Sequence, residues 1–334
     1  MSPNAGPGPG PTVADVTEAE LLARILPLLP GAAAASVGPG DDAAVVAAPD
    51  GRFVVTTDLM VHGPDFRLAW STPWELGWKA AATNLSDVAA MGATPSALVV
   101  AIAATPSLPV RALEEFARGM RDACAALAPA CGVVGGDLSV SDTLTIAVTA
   151  FGDLDGRDPV LRSGARVGDV VAVSGPLGAA HAGLRLLFSE AVDGSGRPDA
   201  ALAAALRERS DAEVSGQLAP RPPIGDGVLA ARAGATSMLD LSDGLALDAA
   251  RVAAASGVAL DLDGTALGDD PEGALRGGED HSLLATFPAE ATLPGGFRPI
   301  GVVVAEPRGV VLRGGAPVDA DGWDPYSDWD GGVG

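Results

Sequence analysis

Apolar runs in this chain stop, one after another, at short acidic motifs. They read Gly40-Asp41-Asp42, Thr56-Thr57-Asp58, Asn84-Leu85-Ser86-Asp87, Gly135-Gly136-Asp137 and Asp240-Leu241-Ser242-Asp243-Gly244. A chain written this way folds into many short elements with carboxylates at their ends. Such carboxylates can converge in space while lying far apart in sequence. Several corners of this kind on one surface suit magnesium, a hard ion that binds through a few carboxylates together with substrate phosphates. Phosphoryl transfer uses that arrangement, because its catalysis is mostly positioning and charge neutralisation.

At 334 residues and 48% hydrophobic, the chain can bury a large core, and its length suggests two domains. The formal net charge of -22 argues against a nucleic-acid or anionic-membrane partner, both of which reward basic surface. Lysine is scarce, with Lys79 the only one. Surface acidity is the plain explanation for most carboxylates, since it aids solubility. Only those beside Gly, Ser or Thr at element ends are candidates for more. The two cysteines, Cys124 and Cys131, make no CxxC pair and no disulfide framework, so a reducing cytoplasm is expected. The stretch from Ile25 to Ser36 has the look of a signal-peptide core, but Asp15, Glu18 and Glu20 precede it where positive charge belongs. No apolar run reaches the roughly 18 residues of a membrane-spanning helix.

Residues 1–17, Gly/Pro-rich at the start, are expected to form a disordered tail. A first domain is expected over 18–152 and a second over 160–328, with a boundary rich in Gly, Asp, Arg and Pro between Gly152 and Gly168. Glu18 to Leu29 suggests a helix, and Ala43 to Ala48 and Arg52 to Thr57 suggest strands. Thr72-Pro73-Trp74-Glu75 opens the best-signalled helix, with an N-cap, proline at the first helical position and glutamate at the third; Gly92 closes it. Asn84 and Asp87 share a face of that helix. Strands are expected at Ser96–Ala104, 132–134, 143–151, Val170–Ser174 and Ser237–Asp240, with helices at 109–128, 179–190, 225–233 and 243–255; Ala191 to Pro198 is expected to be a flexible loop. Strands and helices mix without a strict βαβ rhythm, which points to an α+β (mixed α/β) fold.

Common phosphate-binding signatures are absent: there is no GxxxxGK[ST], and no kinase set of strand lysine, HRD and DFG. His62, His181 and His281 have no zinc spacing and are expected to be structural or incidental. Gly40-Asp41-Asp42 also fits an ordinary turn, and Asp58 a loop-solvating strand end. Two glycines before Asp137 let backbone approach a ligand closely. Ser242 can serve as a plain N-cap while the helix behind it offers free N–H groups to an anion. Gly277-Gly278-Glu279-Asp280 repeats the pairing of glycines with carboxylates.

From about Leu21 to Tyr326 the chain resembles the thiamine-monophosphate kinase family, of the aminoimidazole ribonucleotide synthetase-like superfamily. The motifs above carry the likeness, in that order and spacing. Gly38-Pro39, Arg162-Ser163-Gly164-Ala165 and Gly322-Trp323-Asp324 add to it. The resemblance implies a two-domain fold whose N-terminal sheet forms the interface of a homodimer. It implies ATP-dependent phosphorylation of thiamine phosphate with several Mg2+ ions. Asp42, Thr56, Thr57, Asp58, Asp87, Asp137, Asp240 and Asp243 would then form the metal cluster, with Asp58, Asp137 and Asp243 the catalytic candidates. Thr57, Gly136, Asp137, Arg162 and Ser242 would contact ATP; Asp65, Glu279 and either Trp323 or Tyr326 would hold the acceptor. Arg162 can clamp phosphate, and an aromatic face suits a cationic thiazolium.

Two positions depart from the family pattern. Asp65 stands where a histidine is common, and an aspartate there repels an acceptor phosphate unless a metal or His62 intervenes. His281-Ser282 replaces a common Tyr-Glu. An aminoimidazole ribonucleotide synthetase-like enzyme is the alternative within the superfamily. A nucleotide- or thiamine phosphate-binding protein without turnover, or a plain acidic metal-binding protein, is the alternative outside it.

Overall fold

In the computed structural model, residues 10–39 and 43–322 are described. Within residues 10–17, Val13–Asp15 form a 3-10 turn, and Val13 and Ala14 donate backbone hydrogen bonds to the Leu108 and Pro106 carbonyls. Helix α1 (Glu18–Ile25) opens with a capping box between Thr17 and Glu20. Pro27 lies in a 3-10 turn at Leu26–Leu28, so this helix ends earlier than its apolar pattern suggests. Strands β1 (Ala35–Val37) and β2 (Val45–Val46) make a small ribbon, much shorter than the sequence run over 43–48.

The first sheet is built from β3 (Val54–Val61), β4 (Thr94–Ala104), β5 (Gly132–Val140) and β6 (Thr145–Asp153), in the order β3-β6-β4-β5. Neighbours are antiparallel except β4 and β5, which are parallel because helix α3 (Val110–Leu127) crosses between them. Helix α2 (Pro73–Ala90) starts with the expected box of Thr72 and Glu75. It packs against α3 at backbone contact: a Cβ on Gly77 would lie 2.0 Å from the Phe116 carbonyl oxygen, and one on Gly119 2.0 Å from that of Trp74. The two helices cover one face of the sheet. On the other face Phe53, Val55 and Leu59 are each more than half exposed.

No regular element lies between Asp153 and Val170. The second domain then runs β7 (Val170–Ser174), α4 (Ala179–Glu190), α5 (Ala200–Leu218), α6 (Ile224–Arg232), β8 (Ser237–Asp240), α7 (Leu245–Ser256), β9 (Ala259–Leu262), α8 (Pro271–Arg276), β10 (Leu283–Phe287), β11 (Arg298–Val304), β12 (Val310–Arg313) and β13 (Ala316–Pro317). Its seven-stranded sheet has the order β13-β12-β9-β11-β7-β10-β8, antiparallel except for β9 and β12. The two-domain mixed α/β architecture is the expected one. Helix α5, absent from the sequence expectation, is a correction: it is rich in alanine and charge, and Ser210 breaks its helical geometry midway. No helix among the described residues is long and apolar enough to cross a membrane.

Candidate active site

Helix α2 is buried almost continuously from Leu76 to Ala90, because it lies between the first sheet and the second domain. A helix enclosed on all sides is expected to be apolar all round. Lys79, Thr83, Asn84, Ser86 and Asp87 are the exceptions; Thr83 and Asn84 bond within the helix, whereas Lys79, Ser86 and Asp87 reach residues of other elements in one region.

Along β3, residues alternate between the exposed face and the helix-covered face, which places Thr56 and Asp58 inward. The Thr56 hydroxyl donates to Asp87 Oδ2 at 2.8 Å. From the second domain, β8 ends in buried Asp240. Its Oδ2 accepts the Ser86 hydroxyl at 3.2 Å and lies 3.1 Å from Nδ1 of buried His281. Carboxylates from both domains thus meet at α2.

Their protonation records the crowding. Burial pushes the Asp87 carboxyl up to about 7, and the Asp240 and Asp58 charges add to the effect. Burial also raises Asp58; His281 opposes this, while Asp240 and Asp243 reinforce it. Asp240 goes the other way. Burial works against its charge, but the hydrogen bond and charge of His281, with the Ser86 hydroxyl, hold it below the ordinary carboxylate range. His281 is raised in turn, since Asp240 outweighs the burial that disfavours an imidazolium.

The donor set fits magnesium. The carboxylate oxygens are hard ligands, and like charges this close call for a cation. Among the described residues no three carboxylate, imidazole or thiol groups already close into a ligand shell.

A second group of charges adjoins the first. Lys79 Nζ lies 2.8 Å from Glu279 Oε1, and the Gln217 side-chain amide donates to Oε2. Asp65 is raised by burial, partly relieved by the Val61 N–H; the Glu279 charge raises it further and Lys79 lowers it. Its Oδ2 accepts that Val61 N–H at 2.7 Å and ties the loop after β3, which is also pinned to the second domain by Trp70 Nε1 donating to the Ala191 carbonyl at 2.8 Å. Glu279 and His281 both sit at positive φ, 64° and 50°. Left-handed backbone is uncommon outside glycine, though less so for histidine, and here it shapes the turn that presents both side chains. Between them Asp280 caps α4, accepting the Gly178 and Ala180 N–H groups at 2.5 and 2.8 Å.

Not every expected residue joins this region. Asp137 lies inside β5, not at a strand end, and its cross-strand partner Ala101 pairs in turn with Ala147 and that residue with Leu59, on the open face. It is three strands from β3, roughly 14 Å at ordinary strand spacing. Thr57 is exposed on the same open face, where it donates to the Val148 carbonyl and accepts from Thr149. Gly136 is required by the fold itself, since a Cβ there would lie 1.9 Å from the Val100 carbonyl oxygen. Arg162 is exposed, and its carbonyl accepts the Ser256 hydroxyl at the far end of α7. Ser242 does not cap α7; the Asp243 N–H instead donates to Asp248 at 3.0 Å, and Arg251 pairs with Asp243 at 2.6 Å. Asp42, Trp323 and Tyr326 lie outside the described residues, although Gly322 abuts the Asp243 backbone. Three residues join the site unannounced: His281, Lys79 and Gln217. A lone lysine inside an apolar helix, and a histidine next to the Gly-Gly-Glu-Asp run, were the available signals.

Residues 40–154 match the family model for the AIR synthase related protein, N-terminal domain. The thiamine-monophosphate kinase of Mycobacterium tuberculosis is 40% identical over 96% of this chain and 92% of that protein. Among solved structures, AaThiL complexed with AMPPCP and TMP superposes with a TM-score of 0.69 at 31% identity, covering 85% of this chain and 90% of that one. The thiamine-monophosphate kinase from Stenotrophomonas maltophilia gives 0.72 at 28% identity, over 90% and 96%.

Proposed function

The chain belongs to the thiamine-monophosphate kinase family, and from that premise we propose that it transfers the γ-phosphoryl group of ATP to the phosphate of thiamine phosphate, giving thiamine diphosphate and ADP. The observation that carries this reading is the carboxylate group divided between the domains, Asp58 and Asp87 from the first and Asp240 from the second. In the reaction the bond from γ-phosphorus to the bridging oxygen breaks and its electron pair leaves on ADP. An oxygen of the acceptor phosphate forms the new bond. That oxygen is already largely ionised at neutral pH, so no general base is required, and the residues act by alignment and charge.

Asp58, Asp87 and Asp240, with the Thr56 hydroxyl, would hold several magnesium ions, which supply neutralisation of the polyphosphate when bound. His281 and Ser86 fix Asp240 for that role. Asp42 and Asp243 remain proposed members of the set. Thr57, Gly136, Asp137, Arg162 and Ser242 remain the proposed ATP contacts, and Asp65, Glu279 and Trp323 or Tyr326 the acceptor contacts. Asp65 is less of an obstacle than its charge suggests, because it is engaged by its own loop and lies near Lys79.

Residues 18–152 and 160–328 would be the two working units, with a homodimer formed through the first sheet. Phe53, Val55 and Leu59 support this as an apolar face that a second copy would cover. Thr57 and Asp137 share that face, where a second copy would meet them. A cytoplasmic location agrees with two buried cysteines that form no disulfide; the neighbouring Cys124 thiol and burial push the Cys131 thiol up.

The test is thiamine diphosphate formation from purified protein, ATP, magnesium and thiamine phosphate, with thiamine as a parallel acceptor. Product from thiamine phosphate alone is the expected result. No product from either, with magnesium-dependent ATP binding intact, would discard the acceptor.

A further inference from the structure

The only lysine of the chain is spent in one of its least accessible places. Lys79 is 5% exposed, in the middle of α2, while all other cationic side chains apart from histidine are arginines. Burying an ammonium is costly unless it is paired. Its partner is Glu279, at 2.8 Å, and the second oxygen of that carboxylate is taken by Gln217 from α5. Two helices distant in sequence, α2 and α5, therefore converge on one carboxylate, and the backbone of Glu279 sits at positive φ. An ammonium suits this place better than a guanidinium, whose wide planar fork would need several more acceptors.

Asp65 lies close enough for both Glu279 and Lys79 to act on it. Glu279, Asp65 and Lys79 thus share one corner, with buried His281 also acting on Glu279, beside the cluster that would receive the phosphates. A carboxylate held there suits an acceptor with a cationic ring at one end and a phosphate at the other.

We propose that Lys79 is a positioning residue for the acceptor: together with Gln217 it fixes the Glu279 carboxylate as the anion that meets the cationic ring. The proposal rests on thiamine phosphate being the acceptor. It has a sign that simple electrostatics does not. Removing a cation should favour a cationic ligand, whereas here the removal frees Glu279 to turn away or take up a proton, and binding weakens.

The test compares the unaltered chain with Lys79→Met, Lys79→Arg and Gln217→Leu, using calorimetric binding of thiamine phosphate and steady-state kinetics. Lys79→Met is expected to raise Kd and KM for thiamine phosphate about tenfold, with kcat and the Kd of a magnesium-bound ATP analogue held within about threefold. Lys79→Arg keeps the charge but not the fit, and is expected to recover only part of the affinity. If Lys79→Met does not fold, Gln217→Leu decides: it releases one oxygen of Glu279 without removing its ion partner, and a several-fold rise in Kd is expected. Unchanged or tighter acceptor binding in the variant that folds overturns the role, as does a fall in kcat at constant KM. Failure of the unaltered chain to bind thiamine phosphate would remove the acceptor and this role together; binding by the unaltered chain with equal affinity in Lys79→Met removes the role alone.

Discussion

Asp87 carries the electrostatic tension of the site, and its behaviour with pH stems from that. An aspartate in an unfolded chain titrates near 4, and burial with the neighbouring Asp240 and Asp58 charges moves Asp87 to about 7 in the fold. Asp58 faces it from β3, Asp240 from β8, and His281 lies beyond, bonded to Asp240. Between the two values the native state holds a proton that the unfolded state has lost, so stability falls as pH rises through that window. Melting of the magnesium-free protein is therefore expected to drop from about pH 5 to pH 7, with magnesium recovering more of the loss at the upper end. A flat profile, with and without magnesium, would show that the carboxylates do not repel one another. Asp58→Asn tests the same tension. It removes one like charge, so the metal-free protein should melt higher, while turnover falls at least about a hundredfold from the loss of an electrostatic contact to the transition state. Higher stability together with near-normal turnover would place catalysis elsewhere.

Helix α2 brings these residues together, and its own packing leaves little slack. Adding one methyl group at Gly119 puts a Cβ 2.0 Å from a backbone oxygen of Trp74, so α2 and α3 must separate. Gly119→Ala is expected to cost about 2–3 kcal/mol, at the upper end of overpacking effects, read as a shift of the denaturation midpoint. Because Ser86 and Asp87 ride on the displaced helix, magnesium-induced stabilisation should shrink as well; a stable variant with full magnesium response would mean the helices part without consequence. This helix is legible from sequence because its start is written locally, in Thr72, Pro73 and Glu75, and those signals act whatever surrounds them. Helix α5 is not, since its alanine-rich and charged segment shows no clear apolar stripe and kinks at Ser210. Asp137 looks like a strand end in the sequence because Gly-Gly interrupts strand patterns, whereas the glycine there admits the neighbouring strand. Lys79 and His281 can be seen in the sequence but not interpreted from it. Their partners come from other elements, and the turn that presents Glu279 and His281 uses left-handed backbone at non-glycine residues, which has no local signature.

At the scale of the molecule, the two-domain organisation is legible because the alternation of short apolar runs and Gly/Asp corners leaves few other ways to bury 48% hydrophobic residues. The proposed association of copies is not, because it would depend on which face of a sheet stays uncovered. Two opposing forces would act on that face in a pair of copies. Phe53, Val55 and Leu59 gain by leaving water, while each copy brings a formal charge of -22 toward the other. Apolar attraction is short-ranged and little affected by moderate salt. The repulsion reaches about 30 Å at 0.01 M ionic strength and only about 8 Å at 0.15 M. Association measured by sedimentation should therefore tighten as sodium chloride rises over that range, the reverse of an interface held by ion pairs. Leu59→Asp places a further charge at the centre of the face, and it should leave monomers at both salt concentrations while the monomer keeps its fold. Weaker association at higher salt, or a Leu59→Asp protein that still pairs, would move the interface away from the open face of the first sheet.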